Sequence, residues 1–147
     1  MKYVHTNIIT NDWKKLSDFY IHVFECVYVP PARNQNGDKG TGLKGAHLEG
    51  VHLRLPGYGN EGPTLEIYQY KDVVDQEPVK SNHRGYGHIA FEVDDIQALV
   101  NKIIKHGGSL CGELTERHVP EIGVLSFVYA RDPDGNIIEL QNWDKSP

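Results

Sequence analysis

The chain has 147 residues, 39% hydrophobic and 24% charged, which suits one soluble domain or two small halves that share a core. Fifteen basic residues against twenty acidic ones give a formal charge of −5, so nucleic-acid binding through phosphate contacts is not expected. No apolar run approaches the roughly 18 residues of a membrane span, and the sequence predicts neither a signal peptide nor a membrane partner. Two cysteines form no disulfide or zinc framework, which favours a cytoplasmic location.

An internal repeat organises the chain into two similar halves. The stretch HTNIITND at 5–12 matches HIAFEVDD at 88–95, an offset of 83 residues (88 − 5). Each copy reads as a short strand that ends in polar residues and leads into an amphipathic helix. The helix stripes consist of Trp13, Leu16, Tyr20 and Val23 in the first half, and of Ile96, Leu99, Val100, Ile103 and Ile104 in the second.

A second match lies near the end of each half, where LEI at 65–67 resembles IEL at 138–140. Before it, each half has room for two more strands, at 26–30 and 45–55 in the first and at 109–115 and 124–131 in the second. The sequence therefore predicts an α+β fold of two βαβββ modules with curved mixed sheets. We expect the first module at 1–74, a linker at 75–84 and the second module at 85–147, with a mobile loop at 34–44.

Strand alternation places four chemically notable residues on the predicted concave face, away from the helices. They are His5 and Glu66 in the first half, and His88 and Glu139 in the second. Each glutamate stands between apolar neighbours, where an unpaired charge is costly, so it needs a partner. One divalent cation held by two imidazoles and two carboxylates satisfies all four, and Ni, Zn, Co, Mn or Fe suits such ligands. The alternative is two unrelated His–Glu pairs or strand residues that face solvent.

A metal of this kind predicts a defined type of chemistry. A bound divalent ion polarises a carbonyl oxygen, and a weakly held glutamate can take a proton from the adjacent carbon. The four residues therefore favour proton abstraction alpha to a carbonyl, with metal stabilisation of the enediolate.

Several short motifs stand out along the chain: HT at 5–6, DFY at 18–20, YGHIA at 86–90, DPDG at 132–135 and IEL at 138–140. They are similar to bacterial glyoxalase I and resemble the vicinal oxygen chelate superfamily, which includes glyoxalases, bleomycin resistance proteins and extradiol dioxygenases. The resemblance implies metal ligands at His5, Glu66, His88 and Glu139. It also implies a homodimeric lyase in which the glutamates, chiefly Glu139, move a proton between the two carbons of a hemithioacetal.

The segment after the first glutamate departs from that family pattern. Glyoxalase I typically continues with Leu-Thr-x-Asn, whose Asn helps to hold glutathione, whereas IYQY follows Glu66 here. A small carbonyl or thioester substrate is expected, either a glutathione adduct or another compound, and its contacts are predicted at His52, Arg54 and Tyr68. Two other functions stay open: a metal-free ligand-binding protein of the antibiotic-resistance type, and an Fe-dependent extradiol dioxygenase that uses His5, His88 and Glu139.

Overall fold

The computed structural model describes residues 1–145, and they form two compact units, Met1–Gln76 and a second that begins at Glu77. The first unit contains β1 (His5–Ile9), α1 (Trp13–Phe24), β2 (Val27–Asn36), α2 (Asp38–Thr41), β3 (His47–Arg54) and β4 (Thr64–Tyr70). The second contains β5 (Ile89–Glu92), α3 (Ile96–Lys105), β6 (Ser109–Leu110), β7 (Thr115–Val119), β8 (Gly123–Arg131) and β9 (Ile137–Asp144). The predicted α+β class with two modules is confirmed. No helix in the described part of the chain is long and apolar enough to cross a membrane.

The two units have sheets of matching topology. The first sheet has the order β1-β4-β3-β2, and the second has the order β5-β9-β8-β6 with β7 also paired to β8. In each, the first strand lies parallel to the last, while the remaining pairs are antiparallel. The last strand of each module is therefore central, and its side chains have neighbours on both sides.

Both long helices begin at an aspartate and cover one face of their sheet. Asp12 caps α1 by accepting from the Lys15 amide, and Asp95 caps α3 in the same way at Ala98. α1 buries Leu16 and Tyr20 completely against an equally buried layer on the sheet, which consists of Leu53, Leu65 and Ile67. Each such side chain contributes about 1.5–3 kcal/mol through burial. The second unit repeats this with Ile103 of α3 over Ile138 and Leu140.

Three local predictions were wrong. The expected mobile loop at 34–44 is partly regular, because β2 continues to Asn36 by pairing with His47 and α2 follows at once. The single strand expected at 109–115 is divided into β6 and β7, both of which pair with β8. Ile104, expected on the buried stripe, is 52% exposed, because the short α3 buries only the narrower row that contains Ile103.

The two cysteines provide a test of this core. Cys26 is 3% exposed, and burial raises the pKa of its thiol to about 12, whereas Cys111 is exposed. Since the thiolate is the reactive form, we expect a disulfide reagent at pH 8 to label one thiol per native chain rapidly. The second should react only after denaturant is added. Cys111→Ser should remove the fast reaction, and two fast thiols in the native chain would contradict the placement of Cys26.

Candidate functional site

In the first unit, Glu66 lies in the middle of the central strand β4. Its neighbours Leu65 and Ile67 face α1 and are 1% and 0% exposed, so alternation turns Glu66 to the opposite face. There Oε2 lies 3.3 Å from Nε2 of His5, and Oε1 lies 3.0 Å from Nε2 of His52. The two oxygens of one carboxylate thus meet two different imidazoles.

The strand register explains this arrangement. His52 on β3 is directly opposite Glu66, and Asn7 on β1 is opposite it on the other side. His5 precedes Asn7 by two residues and shares its face. Because β4 lies between β1 and β3, its glutamate receives a histidine from each neighbouring strand.

Tyr68 forms a third contact with this carboxylate. Its hydroxyl lies 2.7 Å from Nε2 of His52 and donates to Oε1 of Glu66 at 3.4 Å. The ring has room because Gly50 stands opposite Tyr68 on β3. A Cβ at Gly50 would lie 2.5 Å from Cδ1 of Tyr68 and 2.1 Å from the carbonyl oxygen of Ile67, so no larger residue fits without a shift of the backbone.

The electrostatic environment fixes the protonation of these groups. Burial lowers the pKa of His52, although the Glu66 charge opposes this effect, while Arg33 and His5 lower it further. Burial, supported by the Glu66 charge, raises the pKa of Tyr68. His52 is therefore a neutral imidazole at pH 7 and Tyr68 keeps its proton, which makes both suitable hydrogen-bond donors to a carboxylate.

The second unit contains the corresponding pair. Glu139, the third residue of β9, is 9% exposed, and its Oε2 lies 3.0 Å from Nε2 of His88, the residue just before β5. Tyr129 on β8 is directly opposite Glu139. Burial raises the pKa of Tyr129, and the charge and hydrogen bond of Glu139 add to this, so the phenol stays protonated beside the carboxylate.

The strand registers of the two units show which site positions recur. Asn7 is opposite Glu66 as Ala90 is opposite Glu139, so His5 and His88 hold equivalent places two residues earlier. His52 and Tyr129 also hold equivalent places, opposite their glutamates. The His–Glu pair is therefore a product of the repeated topology, while the third partner differs between the units.

The structure brings together some of the predicted site residues. His5 contacts Glu66 and His88 contacts Glu139, but among residues 1–145 no group of three or more His, Cys, Asp or Glu side chains is arranged to hold one metal ion. The four-ligand site remains a prediction. Arg54 lies opposite Thr64 at the end of β3, two residues along from His52.

Sequence reasoning assigned no role to Tyr129, which contacts Glu139, and interpreted His52 and Tyr68 only as substrate contacts. The structure places the latter two against Glu66. Matching the hairpins of the two halves would have pointed to Tyr129, because β3 and β4 correspond to β8 and β9.

Comparison with known proteins identifies the wider group. Residues 2–140 match the family model described as the Glyoxalase/Bleomycin resistance protein/Dioxygenase superfamily. A "Probable lactoylglutathione lyase" from Vibrio cholerae is 32% identical over 139 residues, covering 93% of this chain and 87% of that protein.

Solved structures agree on the fold. A glyoxalase family protein from Bacillus cereus has a TM-score of 0.79 at 22% identity, covering 97% of this chain and 93% of that one. Glyoxalase I of Leishmania major, described as trypanothione-dependent, has a TM-score of 0.63 at 26% identity, covering 97% and 86%. This chain belongs to the glyoxalase/bleomycin resistance protein/dioxygenase superfamily, as its motifs indicated.

Proposed function

We propose that this chain is a divalent-metal-dependent lyase or isomerase of the glyoxalase I type. The observation that carries the proposal is the recurrence of one His–Glu contact at the same topological position in both units, at 3.3 and 3.0 Å. The curated relative from Vibrio cholerae, named a probable lactoylglutathione lyase, supports the reaction class. In this proposal the two pairs complete one site, either within a chain or across a homodimer.

The donor atoms fit a divalent ion. Metal–N and metal–O bonds of about 2.0–2.2 Å at angles of about 90–110° place two neighbouring ligand atoms roughly 2.8–3.6 Å apart. The Nε2–Oε2 separations of His5–Glu66 and His88–Glu139, 3.3 and 3.0 Å, fall in that interval. Two neutral imidazoles with two carboxylates form a mixed nitrogen and oxygen set that suits Ni, Zn, Co, Mn or Fe.

The residues divide the chemistry between them. A divalent ion in this position supplies Lewis acidity toward a substrate carbonyl oxygen. Glu139 then removes a proton from the carbon next to that carbonyl and returns it to the neighbouring carbon, with Tyr129 holding the carboxylate in place. Glu66, whose Oε1 has His52 and Tyr68 as hydrogen-bond partners, stays in position. The substrate is a small carbonyl compound, either a thiol adduct of the glutathione kind or a thioester.

Metal content is the direct test. Protein purified without chelator should retain divalent metal, and removing the metal should abolish the isomerisation of methylglyoxal hemithioacetals. Adding Ni²⁺, Zn²⁺ or Co²⁺ should restore the activity. Less than about 0.2 metal per chain, with no rescue by added ions, would contradict the proposal and favour a metal-free binding protein. Oxygen uptake with catechols would instead indicate a dioxygenase.

A further inference from the structure

A cavity of about 460 Å³ adjoins Glu66 within the first unit. It opens on the face of β4 that carries Glu66, Tyr68 and Tyr70, and it extends toward α2. Its size is typical of sites for small molecules. We call it the polar pocket, because amide and hydroxyl side chains supply most of its lining: Asn7, Gln35, Asn36, Thr41, Tyr68 and Tyr70.

The charge of the polar pocket is unusual for a site that would bind an acidic compound. Among its described lining residues the only charged side chain is Glu66, which already faces His5 and His52. Arg33 hydrogen-bonds the side chain of Tyr68 and acts on His52, so a cation stands beside the pocket, although Arg33 is not one of the lining residues. A ligand in the pocket therefore meets neutral hydrogen-bonding groups and the Glu66 carboxylate, with no cation in the lining itself.

This lining selects against anions. A carboxylate that enters the pocket gives up its water and finds no cationic side chain in the lining to pair with. A neutral amide or hydroxyl exchanges its hydrogen bonds to water for bonds to Asn, Gln, Thr and Tyr at little cost. A site built to pair with such groups also discriminates against analogues that lack them.

We propose that the polar pocket binds a neutral part of the substrate that is rich in amide or hydroxyl groups, while the reacting carbonyl lies at Glu66. The inference rests on the proposed function for the position of that carbonyl, but not for the binding itself. A preference for neutral groups distinguishes this chain from a glyoxalase specialised for glutathione, because glutathione carries two carboxylates.

Binding of unreactive thioethers to the purified protein tests the pocket without any turnover. S-methylpantetheine and S-methylglutathione each contain two amide bonds, but only the second carries carboxylates, and methyl 1-thio-β-D-glucopyranoside represents a neutral polyol. Titration calorimetry should show that at least one neutral probe binds ten-fold or more tightly than S-methylglutathione. Comparing the two neutral probes separates an amide ligand from a polyol. Equal or tighter binding of S-methylglutathione, or no binding of either neutral probe, would overturn the inference.

A positive charge added to the lining tests whether the selection against anions arises in the pocket. Gln35→Arg places a cation in the pocket, and S-methylglutathione should then bind at least five-fold more tightly, while the preferred neutral probe binds more weakly. Gln76→Arg adds the same charge at an exposed position outside the pocket and should change neither value. Similar gains in both variants would assign the effect to overall charge and overturn the site. Since none of these measurements needs metal or activity, a failed metal test leaves them interpretable.

Discussion

Glu139→Gln is expected to lower kcat for hemithioacetal isomerisation by a factor on the order of 10³–10⁴ and to leave the fold intact. Glutamine keeps the volume of the side chain and can still pair with His88 and Tyr129, but its amide cannot accept a proton from carbon. Steady-state kinetics with metal added in excess measures the loss. Because the variant is then saturated with metal, a loss of activity reports the missing base and not weaker metal binding.

The matched control is Glu92→Gln, which changes the same functional group at an exposed position on β5, in the same sheet. It should retain the activity of the unmodified chain. Circular dichroism and thermal unfolding of both variants check that the folded state survives. If Glu139→Gln keeps full activity at saturating metal, Glu139 is not the base, and Glu66 becomes the carboxylate to test.

Much of the candidate site was predictable because sheets alternate with a period of two. The apolar residues beside Glu66 and beside Glu139 had to face their helices, so both carboxylates had to face the other way. The repeat then predicted one histidine and one glutamate per half on the face away from the helix. For His5 with Glu66 and His88 with Glu139, the structure shows contacts within each unit.

The remaining contacts depend on strand register, which composition does not encode. Nothing in the local sequence shows that His52 stands opposite Glu66, or that Gly50 leaves space for the ring of Tyr68, because both follow from how β3 aligns with β4. The same limit explains the wrong prediction for 34–44. Asn and Gly have low strand propensity, but pairing with β3 overrides it up to Asn36.

His52→Leu is expected to weaken metal retention at least ten-fold, because the leucine removes the imidazole that lies 3.0 Å from Oε1 of Glu66 and 2.7 Å from the Tyr68 hydroxyl. With those donors disturbed, the half-buried carboxylate turns to find other partners, and Oε2 is no longer held beside His5. In the proposed metal site this effect acts through Glu66, so we expect His52 to be a positioning residue. Competition with a chromophoric chelator measures the affinity for Co²⁺, and the visible spectrum of the Co²⁺-loaded protein reports the ligand geometry.

Two different replacements of His52 show whether it acts by positioning Glu66 or only by packing. Glutamine at this position can present an N–H close to where Nε2 of His52 stands, so His52→Gln should restore most of the affinity and the spectrum, whereas His52→Leu should not. Tyr68→Phe removes the weaker 3.4 Å bond to Glu66 and the 2.7 Å contact with His52. It leaves the 3.0 Å contact between His52 and Glu66 and should have a smaller effect. His118→Leu makes the same replacement at an exposed position on β7 and should behave like the unmodified chain.

Kinetics of the metal-saturated variants distinguishes the two roles open to His52. If His52 is a positioning residue, its replacement lowers metal affinity and kcat. KM for the substrate then changes little, because His52 acts on Glu66 before the substrate arrives. If His52 instead contacts the substrate directly, its replacement raises KM and leaves the Co²⁺ spectrum unchanged. If His52→Leu raises KM alone, or if glutamine fails to rescue metal retention, the hydrogen bonds around Glu66 do not set the geometry of the metal ligands.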